Sequence, residues 1–250
     1  MPWVESDSLS FSARHESSQA EEAARVLDDL ERFRSQLGRL YRTTPGEVTV
    51  VIHPRPAMLA LAHPWLPLAR RASAPAARRY YAGWFSEGEI HVLAPSALRA
   101  RASGGEGSYE ALMLSPRHEY AHLVVGAQNP GLPPPFRPRS FARYLRLAWL
   151  AEGAAAWLSG QVPHLRAAIA RRLREGGRPS FPPAPSDALL LGGTIFALLE
   201  DEAGARAAAA LAGAIPAERP ETALTHAFER PMGDIADDWR GYLDDLRTAV

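Results

Sequence analysis

The sequence predicts an α+β fold: a small mixed α/β half at the N-terminus, a helical C-terminal half, and two motif-bearing helices between them. Three observations predict it. Apolar residues recur at helical spacing over residues 17–41 and through most of the chain beyond residue 141, whereas β-type runs are confined to residues 48–93. Two segments, His118-Glu119-Tyr120-Ala121-His122 and Trp149-Leu150-Ala151-Glu152-Gly153, set ionisable side chains in otherwise apolar helical stretches. A Pro-rich stretch from Asn129 to Ser140 separates them. The chain therefore divides into residues 1–128, a mixed half ending in the first motif, and residues 129–250, a helical half carrying the second. The two halves form a single compact unit.

Each element follows from local pattern. Ala23, Ala24, Val26, Leu27, Leu30, Phe33, Leu37 and Leu40 recur at helical spacing over 17–41. Gly46 breaks the chain, Val48 to His53 reads as a buried strand, and Pro54 and Pro56 end it. Met58 to Ala62 is a short helix. Tyr80 to Phe85 and Glu89 to Leu93 are strands around a Ser86-Glu87-Gly88 turn, a hairpin with a small sheet. Pro95 to Ala102 is helical, and Ser103 to Ser108 is a Gly-rich break. The helical region of the first motif begins at Tyr109. Pro116 either sits in the first turn behind a Ser115 cap or kinks a longer helix, and the cap is the better reading. Phe141 to Ser159 reads as one helix carrying Glu152. Gly153, Ala154, Ala155 and Ala156 present little bulk, which would let this helix approach the first closely. Segments 163–174, 186–201, 203–213 and 234–248 are helical, with a second Pro-rich loop from Arg178 to Pro185.

Composition narrows the function classes. The chain has 250 residues, 46% hydrophobic and 22% charged, as ordinary globular proteins do. Formal net charge is zero, so there is no global electrostatic case for nucleic acid or an anionic membrane as partner. Local arginine clusters (Arg70-Arg71, Arg78-Arg79, Arg171-Arg172) read as solvated helix ends. With no cysteine, disulfides and thiolate zinc sites are excluded. The polar, acidic stretch from Met1 to Ser12 lacks an apolar signal core, and no apolar run reaches about 18 residues, so neither a signal peptide nor a membrane span is expected. A cytoplasmic location is the default expectation.

The first motif is an H-E-x-x-H pattern. On a helix, residues i and i+4 share a face, so His118 and His122 can point at one ion. Glu119 flanks that ion where a general base is needed. Two histidines do not complete a zinc site, and Glu152 is the candidate third ligand. A His, His, Glu set leaves a position open for water, the arrangement of catalytic sites. Leu112, Leu114, Leu123 and Val124 around the motif predict that it is buried, where unpaired polar groups are costly and a metal ion would satisfy them.

H-E-x-x-H followed by W-L-x-E-G resembles the gluzincin zinc peptidases, and most closely their peptidase MA-like group. The resemblance extends to the opening helix, the Val48–Ile52 strand, the stretch from Gly83 to Leu93, and a closing segment from Ala227 through Trp239 to Leu243. It implies one zinc ion per chain held by His118, His122 and Glu152, Glu119 as catalytic base, and a peptide or protein as substrate. Glu119 would take a proton from water attacking a carbonyl and pass it to the leaving amine. The resemblance also implies a substrate ledge on an edge strand, with Glu89 to Leu93 as its candidate.

Two positions depart from that group. Leu189, in Leu189-Leu190-Leu191-Gly192, stands where relatives carry an oxyanion-stabilising Tyr; Tyr144, His164, His226 and Tyr242 are the alternatives elsewhere. Ala156 stands where some relatives carry an Asp that orients a ligand histidine. These departures leave a second reading beside the peptidase: a zinc-binding, catalytically weak relative serving as a peptide-binding or scaffold module. A third reading is a metal-free structural protein in which the two histidines are accidental. Trp84, Trp149 and Trp157 read as core or interface aromatics, and the remaining histidines show no ligand spacing.

Overall fold

A computed structural model of the chain describes residues 2–102, 105, 107–216 and 219–248. Its N-terminal part is built on one five-stranded sheet, with strands β1 (Trp3–Asp7), β2 (Phe11–Glu16), β3 (Val48–His53), β4 (Gly83–Ser86) and β5 (Glu89–Leu93). Their order across the sheet is β1-β2-β3-β5-β4, so the sheet is mixed. The pairs β2/β3 and β3/β5 are parallel, and β1/β2 and β4/β5 are antiparallel. β3 lies at the centre and is buried on both faces, which is why it reads as an almost unbroken apolar run. The 83–93 hairpin forms as the sequence predicts. β1 and β2 are additions: Phe11, Ala13 and His15 alternate inward on β2, but β1 is largely exposed and acidic and carries little apolar signal.

Helix α1 (Ala20–Leu37) buries Val26, Leu27, Leu30, Phe33 and Leu37 against the inner sheet face and ends at Gly38. Two short helices, α2 (Pro56–Ala62) and α3 (Leu66–Ala72), follow β3; the second has no counterpart in the sequence reading because Trp65 and Leu68 point outward. α4 (Pro95–Arg101), α5 (Ser108–Met113) and α6 (Ser115–Gln128) come next. Of the Gly-rich break, Ser103, Gly104 and Glu106 lie outside the described residues.

The helix expected over 141–159 is two helices, α7 (Pro138–Arg146) and α8 (Ala148–Leu158), broken at Leu147. Leu147 is fully buried, and the break lets α8 enter the core while α7 stays on the surface with no buried residue. α9 (Arg166–Arg174), α10 (Ala188–Ala203), α11 (Ala205–Gly213), α12 (Pro220–Ala227) and α13 (Met232–Thr248) complete the chain.

Two apolar cores result. One joins α1, the inner sheet face and α6; the other joins α8, α9, α10 and α13 around the fully buried Trp239 and Phe196. α6 and α8 pack against each other where the cores meet. No helix among the described residues is long and apolar enough to cross a membrane.

Candidate metal centre

α6 carries the first three functional side chains. Pro116 lies in its first turn, as the cap reading places it, but Ser115 is not the cap. α5 runs almost directly into α6, with Leu114 between them as the cap; its carbonyl accepts from His118 N–H at 3.0 Å. The Ser115 hydroxyl instead donates back to Leu112 O at 2.6 Å. His118, Glu119 and His122 are all buried, at 5%, 7% and 3% exposure.

Glu152 comes from α8, also buried. Gly153 does not face α6, as the sequence reading had it, but α10. A Cβ on Gly153 would lie 2.5 Å from the Gly192 carbonyl group, and one on Gly192 would lie 2.2 Å from Trp149 O. The two helices therefore cross backbone to backbone. α8 meets α6 through Ala155, which packs with Tyr120 and Ala121.

The structure brings His118, His122 and Glu152 together, with one ligand atom from each lying within 4.8 Å of the others. His118 Nε2 is 3.1 Å from His122 Nε2 and 3.3 Å from Glu152 Oε2; His122 Nε2 is 3.5 Å from Glu152 Oε1. Two imidazole nitrogens and a carboxylate facing one point supply more lone pairs than protons, so the complement of the set is a cation. The donor set fits a divalent metal, and zinc falls within that chemistry. The Phe85 ring stacks on His122, with centroids 4.3 Å apart, and limits its rotation.

The electrostatics agree with this complement. Burial opposes ionisation of Glu152, but His122 and His118 outweigh it and hold the carboxyl far below the usual range. Burial would lower His118, yet the Glu152 carboxylate keeps it above its ordinary value. His122 is lowered by burial, which Glu152 offsets in part. Glu119 is pushed up to about 8, chiefly by burial and further by the Glu152 charge, with His118 opposing. Its carboxylate lies over Gly83 of β4, where a Cβ would come within 2.5 Å of Oε1.

The four side chains line a cavity of about 390 Å³ shared with Tyr81, Trp84, Tyr144 and Leu189. Of the oxyanion candidates, only Tyr144 is here, and its hydroxyl donates to Glu152 Oε1. Burial and the Glu152 charge hold that phenol well above its ordinary value. Tyr242 lines a different cavity, and neither His164 nor His226 lines this one. Ala156 packs against Gly193 in the α8–α10 crossing and orients nothing.

Three features escaped the sequence reading. Gln161, just after α8, donates from Nε2 to Ala111 O at 2.7 Å and raises the proton affinity of His118, whose buried Nδ1 makes no hydrogen bond among the described residues; the free carboxamide oxygen of Gln161 is the acceptor nearest in chemistry to that need. No motif marks it. Tyr81 faces the cavity, accepts from Ser73 at 2.7 Å, and is raised by burial and by Glu152. Trp84 lines the cavity and stacks on Phe136 of the Pro-rich loop, so it is more than a core aromatic.

The ledge also changes strand. β5 is paired on both sides, to β3 and β4, and has no open edge; β4 is the edge strand beside α6. On the other sheet face, His53, His63 and His91 gather despite their sequence separation, and His63 stacks on the cavity-lining Trp84, with centroids 5.8 Å apart. No protein-family model, no curated protein and no solved structure matches the chain.

Proposed function

We propose that this protein is a zinc-dependent peptidase of gluzincin type. The observation that carries the reading is the convergence of His118, His122 and Glu152 in a buried cavity, with the Glu119 carboxyl group lining the same space. Bound there, zinc would supply Lewis acidity, polarising a carbonyl and acidifying water. Gln161 would fix the His118 tautomer so that Nε2 presents its lone pair. Glu119 would accept the proton of the attacking water and deliver it to the nitrogen of the breaking C–N bond. The open edge of β4 would pair with extended substrate backbone. Among the hydroxyl-bearing residues that line the cavity, Tyr144 and Tyr81, both raised by burial and by the Glu152 charge, would be the ones to meet a developing oxyanion.

One observation favours the second reading, a zinc-binding module with weak catalysis: the Tyr144 hydroxyl is engaged with Glu152, and Leu189 presents no donor to the cavity. Metal analysis and hydrolysis of a casein or peptide library, on wild type and Glu119→Gln, separate the readings. The peptidase reading expects about one zinc per chain in both proteins and loss of cleavage in the variant. Zinc in both without cleavage in either would favour the module, and absence of zinc from both would remove the site.

A further inference from the structure

The mouth of the cavity has a surface that the chemistry inside does not require. α3 lines it on one side with Trp65 and Leu68, and α7 on the other with Phe141 and Leu145. These are among the exposed large apolar side chains of the protein: Trp65 is 69% exposed, Leu68 57%, Leu145 46% and Phe141 42%. A cluster of this kind around one opening marks an interaction surface rather than scattered surface residues.

Charge is segregated in the same place. Residues 54–86 contain five arginines and residues 120–151 contain four, and neither segment holds a single Asp or Glu, in a chain whose formal net charge is zero. Among the described residues, Arg70, Arg71, Arg78 and Arg79 form no ion pair, whereas arginines elsewhere do. Arg101 beside them is pushed down to about 10, chiefly by burial and further by the positive charge of Arg70 and Arg79. α7 divides sharply: Phe141, Tyr144 and Leu145 share one face, and Arg139, Arg143 and Arg146 lie at i, i+4 and i+7 on the opposite one.

We infer that this mouth docks on an anionic lipid bilayer. Trp65, Leu68, Phe141 and Leu145 enter the acyl boundary, and the flanking arginines lie among the headgroups. The opposed faces of α7 favour a bilayer over an acidic peptide. A peptide in the groove would not reach Arg139 and Arg146, which are turned away from it, whereas long arginine side chains can extend to headgroups around the exposed part of the helix; Arg143 packs on Gly131 instead. Apolar insertion and a polybasic rim are the two signals that together give stable peripheral binding. This inference stands on the surface alone and does not depend on the peptidase reading.

Sedimentation of the full chain with vesicles tests it, using an equal mixture of phosphatidylserine and phosphatidylcholine against phosphatidylcholine alone. The expected result is binding to the mixed vesicles, weakened by high salt, and much weaker binding to the neutral ones. Trp65→Ser/Leu68→Ser and Arg70→Gln/Arg71→Gln should each reduce partitioning on the order of tenfold, with unfolding temperature unchanged. Glu119→Gln should bind as wild type does, so failure of the peptidase reading leaves this result intact. Absence of sedimentation with either vesicle would overturn the inference. So would binding indifferent to the Trp65/Leu68 pair, or tight binding of poly-glutamate without vesicle binding, which would assign the rim to acidic peptides.

Discussion

Glu152 sits among His118, His122 and the Tyr144 hydroxyl, and its ionisation, opposed by burial, depends on the two histidines. Their positions depend in turn on residues that never touch the shared point. Gln161 is the clearest case, because it is the partner available to His118 Nδ1. Gln161→Leu should leave the fold intact and lower metal affinity by about 10- to 100-fold, measured by competition with a chromogenic chelator. An unchanged affinity would show that His118 needs no such support. The motif histidines and Glu152 were legible in the sequence because helical spacing and burial constrain them strongly. Gln161 and Tyr81 were not, since each reaches the cavity from a turn or loop whose path no periodicity encodes.

At the scale of elements, the α8–α10 crossing organises the helical half. Gly153→Ala would drive a methyl group into the Gly192 backbone and should destabilise by about 3 kcal/mol or more, seen as a lower denaturant midpoint. Gly241→Ala, on an open face of α13 with nothing within 4 Å, should instead stabilise by about 0.5–1 kcal/mol. Equal effects of the two would mean that helix propensity, not the crossing, governs both. The sequence showed that Gly153 mediates a close approach but not to which helix, because a small residue marks contact without naming the partner. Strong patterns gave correct elements: α1, β3 and the hairpin each carry several apolar residues in register. β1, α3 and the Leu147 break were missed because tertiary pairing, exposed apolar side chains and a buried joint override local pattern there.

Across the whole molecule, the histidine group behind the sheet ties stability to pH. His53 Nε2 lies 3.0 Å from His91 Nδ1, and the His63 ring meets His91 edge-on at 4.1 Å. His53 and His63 are both pushed down to about 4, by burial and by the neighbouring histidine. In the unfolded chain they titrate near about 6.5. Between those values the unfolded chain binds more protons, so their contribution is complete above about pH 6.5 and is lost as pH falls towards about 4. Denaturant midpoints across that window should fall with pH, and His53→Gln should flatten the slope; an unchanged slope in the variant would place the sensitivity elsewhere. The charges follow a molecular plan as well. Carboxylates concentrate on α1 and on the helices after residue 199, away from the arginine-flanked mouth, so a zero net charge conceals a polar molecule.

The Gly153–Gly192 crossing has one more effect, on timing. With main chain resting on main chain, α8 has no side-chain cushion at that crossing on which to slide, and its amides are expected to exchange with solvent only when the helical core opens as a unit. Glu152 is thus set in place when the chain folds, not when an ion arrives. An ion that bound there would meet a finished socket, and its capture would be expected to run at the pace of its own dehydration.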